Sequence, residues 1–302
     1  MFGKIIGTGS YVPKEIVTNK DLAQYLDTDD TWIRERTGVK SRHISGDKET
    51  TADMAVKAAE KALENSGLLP DEIDLIIVSS VSSNLVLPST ACFVQKAINA
   101  KNAFCFDINV ACTGFITAYN ISQTFINTGL INTALIIGAE SLSKITDWSD
   151  RKTCILFGDG AGAVVIKKDE NAMFETVMFS NGKNGDALTM ENPFALRKTN
   201  LGKNHQGQFD IAFQDIQKTY INMDGGEIFK FAVKKVPECI EALLEKIHMD
   251  KDEIDKYLLH QANSRIIEGI AKRSKIPLEK IPLNIEDYGN VSSACIPMLL
   301  DK

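Results

Sequence analysis

Asp107-Ile-Asn-Val-Ala-Cys112-Thr-Gly-Phe115 is the stretch from which the fold can be read. Ala103 to Val110 is mostly apolar or β-favouring, and Phe115, Tyr119, Phe125 and Ile126 then recur at roughly helical spacing. A strand therefore runs into the first turn of an amphipathic helix, with Cys112 at the junction. A thiol placed there faces free backbone N–H groups and the positive end of the helix dipole, which favours thiolate over the ordinary pKa of about 8.5. Ala111 and Gly114 leave room beside it for a substrate. Cys112 is the candidate nucleophile, set against the plain alternative of one more buried cysteine.

Outward from this junction, strands and helices alternate. Lys4 to Val12 reads as a strand, Asn19 to Tyr25 as a short helix capped by Thr18, and Thr51 to Ser66 as a longer helix ended by Gly67. Asp74 to Ser80 reads as a buried strand, Pro88 to Asn99 as helix, Thr133 to Ala139 as strand, and Ile155 to Lys167 as a glycine-rich strand. This order predicts parallel sheets with helices on both faces. The Gly158 to Ala163 cluster is no phosphate loop, because β-branched Val164, Val165 and Ile166 continue as strand where a Walker or Rossmann pattern needs a helix.

Asp-Glu-Ile-Asp occurs at 71–74 and again at 252–255, an offset of 181, with Leu63-Glu64 matching Leu244-Glu245. Helix precedes and an apolar run follows in both places, which points to a duplicated chain with halves at 1–170 and 171–302. In the second copy Tyr257 to Leu259 reads as a strand that ends at His260.

With 302 residues, 44% of them hydrophobic and 25% charged, the chain has the composition of an ordinary globular protein with a sizeable core. A net charge of −6 argues against nucleic acid as the main partner. Six cysteines without a Cys-x-x-Cys pair lack zinc-ligand spacing, and no apolar run approaches the roughly 18 residues of a membrane span. The expected setting is a reducing cytoplasm without disulfides or metal.

Further segments carry a resemblance. His260-Gln-Ala-Asn263-Ser-Arg265 and Tyr288-Gly-Asn290-Val-Ser-Ser-Ala294, together with the Cys112 stretch, resemble signatures of the β-ketoacyl-acyl carrier protein synthase III family. Alone, a histidine at a strand end is a solvated polar residue and Asn after Gly a turn. The other histidines, His43, His205 and His248, have polar surroundings and no such context.

The resemblance implies a thiolase-like α/β fold of layered α-β-α-β-α architecture. It implies a Cys112, His260 and Asn290 triad, and a decarboxylative condensation of an acyl-CoA primer, expected to be acetyl-CoA, with malonyl-acyl carrier protein. No cofactor is called for. Asp27-Thr-Asp-Asp-Thr-Trp32-Ile-Arg-Glu-Arg36 resembles the family's CoA-binding loop, and Thr28 and Arg151 match other positions near CoA. The resemblance places Asn263 at the pantetheine arm, Leu87 across a homodimer at the acyl pocket, and Arg265 at the carrier protein, helped by Lys230, Lys234 and Lys235. It also implies a further helix, turn and two strands beyond Lys302, so that the C-terminal end reads as incomplete. The polar stretch from Gly182 to Asp215 has no assigned role. Alternatives are a secondary-metabolism homologue using another primer, or an impaired acyl-CoA and carrier-protein binding protein. A hydroxymethylglutaryl-CoA synthase is disfavoured, because no glutamate lies between Glu72 and Glu140.

Overall fold

A computed structural model describes residues 1–193, 199–203, 206, 209–213 and 219–302. His205 lies outside the described residues, as does part of the 182–215 stretch. The first half is built on strands β1 (Phe2–Tyr11), β2 (Glu15–Thr18), β3 (Ser41–Ile44), β4 (Leu75–Ser79), β5 (Phe104–Ile108), β6 (Thr133–Ser141) and β7 (Asp159–Asp169). Its helices are α1 (Asn19–Leu22), α2 (Asp30–Thr37), α3 (Thr51–Ser66), α4 (Thr90–Ile98), α5 (Gly114–Asn127) and α6 (Arg151–Cys154). The second half adds α7 (Gly225–Ile247), α8 (Ser264–Ser274), α9 (Ile285–Tyr288) and α10 (Cys295–Leu300).

The central sheet has the order β1-β7-β6-β4-β5. β4 is parallel to β5 and β6, whereas β7 runs antiparallel to β6 and β1. The expected parallel sheet is thus mixed. β4 and β5 are joined through the helix α4, which permits a parallel return, while β7 follows β6 after a connection holding a 3-10 turn at Leu142–Ile145 and the single-turn α6.

Period-two alternation divides the core. Ile76, Val78, Leu135, Ile137, Ala163 and Val165 pack on one face against α3 and α4. Leu75, Ile77, Ile136, Val164 and Ile166 pack on the other against Phe115, Ala118 and Ile126 of α5 and Ile296 of α10. The alanine stripe of α3 lies so near the sheet that a side chain at Gly7 or Gly9 would strike the α3 backbone at Ala62.

Helix ends follow the expected chemistry. Thr18 and Thr50 form capping boxes with Asp21 and Asp53, and Gly67 closes α3 at φ +69. Pro88 to Asn99 shortens to α4, closed by Asn99 at φ +58. Two expectations change. β7 begins at Asp159 and not at Ile155, because residues 155–158 bend inward to bond the Asn290 segment. Tyr257 to Leu259 is extended but is no strand among the described residues: it joins no ladder, and Tyr257 N–H bonds to Lys280 O.

Candidate active site

Two elbows meet at the site. After Val110 the chain turns through Ala111, which has φ +47, makes a 3-10 turn over Ala111–Thr113 and enters α5 at Gly114. After Val291 it turns through Ser292, which has φ +46, makes a 3-10 turn over Ser292–Ala294 and enters α10 at Cys295. Ala111 and Ser292 are separated by the same 181 positions as the two Asp-Glu-Ile-Asp segments. A non-glycine residue at positive φ costs of order 1–3 kcal/mol and persists only where its surroundings impose it. Here they do: a Cβ on Gly114 would overlap Ser79 Oγ, and one on Gly138 of β6 would overlap the Ser293 carbonyl.

Each elbow presents a polar group. Asn290 is fixed by its N–H to Leu156 O at 2.8 Å and by Gly158 N–H to its carbonyl at 3.1 Å. Its Oδ1 accepts from Ser292 N–H at 2.9 Å, which leaves the amide nitrogen as the donating end. The Cys295 thiol lies 3.9 Å from both Asn290 Oδ1 and Gln261 O, so the segment after His260 is seated beside Asn290. Both ring nitrogens of His260 are buried and have no hydrogen-bond partner. A buried imidazole left so is a departure from normal satisfaction that calls for a function.

Part of the Cys112 surface stays open, yet protein atoms crowd the sulfur enough that burial pushes its pKa up to about 11. The Ser292 hydroxyl and the Cys112 N–H pull the other way. The resting group is therefore the thiol. The expectation of a thiolate considered the helix end and not the enclosure above it, and desolvation wins.

A cleft of about 600 Å³ lies next to this point, and Cys112, His260 and Asn290 are not among the residues that line it. Trp32, Arg36, Arg151, Asn263 and Arg265 line it, and two guanidinium groups stand over the Trp32 ring, that of Arg36 at 5.6 Å and that of Arg151 at 4.8 Å. Its wall includes Leu156, whose carbonyl holds Asn290. Lys152, Met223, Gly226, Phe229 and Lys230 also line it, and of these only Lys230 had been singled out by the sequence. The polar ends of Asn263 are already engaged, Nδ2 with Arg36 O at 3.0 Å and Oδ1 with Arg265 N–H at 2.9 Å, so it shapes the loop. Thr28 stands outside the cleft lining with a buried, unpartnered hydroxyl, and Leu87 is 83% exposed on the loop before α4. Lys230 and Lys235 pair with Glu227 and Glu238 on their own helix. Among the described residues no cluster of three or more His, Cys, Asp or Glu is arranged to hold a metal, and no helix is long and apolar enough to cross a membrane.

The fold is that of the thiolase-like condensing enzymes, an acyltransferase class. Residues 106–182 match the profile of 3-oxoacyl-[acyl-carrier-protein] synthase III, and 244–302 match the profile of its C-terminal domain. A Clostridium acetobutylicum β-ketoacyl-[acyl-carrier-protein] synthase III is 46% identical over 99% of this chain and 89% of its own length. The Xanthomonas campestris protein of the same name is 40% identical, over 100% and 89%. The crystal structure of 3-oxoacyl-[acyl-carrier-protein] synthase III from Aquifex aeolicus superposes with a TM-score of 0.82 at 42% identity, covering 99% of this chain and 89% of that one. The chain belongs to the 3-oxoacyl-[acyl-carrier-protein] synthase III family.

Proposed function

We propose that this chain condenses an acyl-CoA primer with malonyl-acyl carrier protein, with Cys112 as nucleophile and His260 and Asn290 as its partners. The Cys112 sulfur attacks the thioester carbonyl, the bond to the CoA sulfur breaks, and the thiol proton leaves with CoA. Malonyl-acyl carrier protein then loses CO₂, and the electron pair left behind spreads onto the thioester oxygen as an enolate. N–H donors from His260 and the Asn290 amide stabilise that oxygen while the enolate carbon attacks acyl-Cys112, the bond from the acyl carbon to the Cys112 sulfur breaks, and the departing sulfur takes a proton from solvent to restore the thiol. Products are a β-ketoacyl-acyl carrier protein, CoA and CO₂. The steps need no metal or redox cofactor.

The observation that carries this reading is the His260 ring, both of whose nitrogens are buried and unpartnered, together with an Asn290 whose oxygen is already engaged. Supporting it, the adenine ring has a planar seat at Trp32, and Arg36, Arg151 and Lys152 supply cations for CoA phosphates. Arg265, exposed at the start of α8, suits an acidic carrier protein. The division at 1–170 and 171–302 and a cytoplasmic setting belong to the same reading. So does a homodimer: β5 is an unpaired sheet edge with exposed Phe104, near exposed Val110 and the Leu85-Val86-Leu87 loop.

The test is intact-mass spectrometry of the chain mixed with a panel of acyl-CoAs, followed by digestion. An acyl mass on Cys112 supports the reading and names the primer. Acylation elsewhere, or none on folded protein, overturns it.

A further inference from the structure

Glu140 is the last but one residue of the apolar strand β6 and is fully buried. Its two carboxyl oxygens have different company. Oε2 accepts from the Ser82 hydroxyl at 2.6 Å, the Val81 N–H at 3.1 Å and the Ser80 hydroxyl at 3.2 Å. Those hydroxyls are free to give their hydrogens, since each accepts in turn, Ser80 from Ser82 N–H and Ser82 from Ser141 N–H. Oε1 lies 2.8 Å from Ser293 Oγ, which also lies 3.0 Å from the Ser79 carbonyl oxygen.

A hydroxyl has one hydrogen, and a carbonyl can only accept. Ser293 can satisfy both neighbours only by giving its hydrogen to Ser79 O and taking one from Oε1. With that hydrogen on Ser79 O, the 2.8 Å contact is a hydrogen bond only when Oε1 carries a hydrogen of its own. Buried Asp159 makes the contrast: Ser45 and Ser143 each give it an N–H and a hydroxyl, between 2.6 and 2.8 Å, and neither hydroxyl faces a competing acceptor.

We propose that Glu140 is held as an uncharged carboxylic acid that gives its Oε1 hydrogen to Ser293, and that it is a positioning residue joining the two elbows. One end of this tie is β6 with the 80–82 loop, and the other is the elbow that carries Asn290. Burial acts in the same direction, raising the carboxyl above its usual range, and the groups that act on it are serine hydroxyls and one N–H, with no cation. The titratable group it faces is Cys112. Between them sits the Ser292 hydroxyl, buried and close to both, with no well-formed hydrogen bond to either. A charged carboxylate there would oppose a thiolate on Cys112 and an enolate beside it, so an uncharged Glu140 serves the reaction proposed above. The protonation itself stands whether or not that reaction is the right one.

The test compares wild type with Glu140→Gln, which keeps one donor and one acceptor, by infrared difference spectroscopy at neutral pH in H₂O and D₂O. A protonated-carboxyl C=O band present only in wild type and shifted in D₂O is expected, and loss of carboxylate bands instead overturns the proposal. The pH profile of Cys112 alkylation by iodoacetamide is the second readout. Its midpoint should move by less than about half a unit in Glu140→Gln, whereas a fall of about one unit or more means a charge was removed. Should Gln fail to fold, Ser293→Ala on wild-type Glu140 is to shift the carboxyl band, and an unmoved band overturns the idea. No acyl substrate enters these measurements, so failure of the mass-spectrometric test leaves them readable.

Discussion

The two elbows trace one path and are given different work. Each is reached through a helix with a left-handed cap, Gly67 after α3 and His248 at φ +55 after α7, followed by a 3-10 turn at Pro70–Glu72 or Lys251–Glu253. In both turns the glutamate accepts from the N–H three residues before it, Leu69 at 2.9 Å and Asp250 at 2.7 Å. At the elbow tips Cys112 and Ser293 stand at matching positions, 181 residues apart. One is the proposed nucleophile, and the other turns its hydroxyl inward to Glu140 and Ser79. Repetition supplies the geometry twice, and the copies differ in the side chain each carries at its tip.

This division can be broken in a graded way. Cys112→Ala should abolish acylation and lower condensation by at least about 10⁴-fold, the scale seen when a catalytic nucleophile is removed, in steady-state assays. Alkylation of Cys112 in the unliganded enzyme should rise about tenfold per pH unit between pH 7 and 10. The thiol, held at about 11 by burial, is protonated through that window, and a plateau near pH 8 would count against it. Asn290→Ala should cost about 10² to 10³ in turnover while leaving acyl-Cys112 formation largely intact, a split that rapid-quench mass spectrometry can read. Gly138→Ala drives a methyl into the Ser293 carbonyl and should destabilise by about 1–3 kcal/mol in urea unfolding. Ala111→Gly relieves positive φ at the first elbow but loosens the unfolded chain, so its expected effect is below about 1 kcal/mol.

Local rules were legible in the sequence and long-range ones were not. Thr51 to Ser66 declares its own ends through Thr50 and Gly67, and the pairing of Ala111 with Ser292 follows from the spacing of two Asp-Glu-Ile-Asp segments. Trp32 and Arg36, four apart on α2, could be joined from sequence, and Arg151 met them through the resemblance. Strand direction was not legible, because antiparallel β7 has the same apolar run as a parallel strand would. Nor was Tyr257 to Leu259, whose aliphatic look is the same with or without a neighbouring ladder. Glu140 left one signal, a lone acid at the end of an apolar strand, but its partners come from residues about 60 before and 150 after it. The thiol's protonation could not be read, since enclosure is a property of the assembled elbows.

Gly114 and Ser79 occupy one shared volume, the serine hydroxyl filling the space where a Cβ of residue 114 would go. In a lineage that drifts, the two positions are not independent. A larger residue at 114 becomes acceptable only in a background where 79 has already shrunk to glycine, and the reverse order passes through an unfit intermediate. The start of α5 is thus locked by the history of a residue in β4, and substitutions at these two sites should enter related chains as a pair.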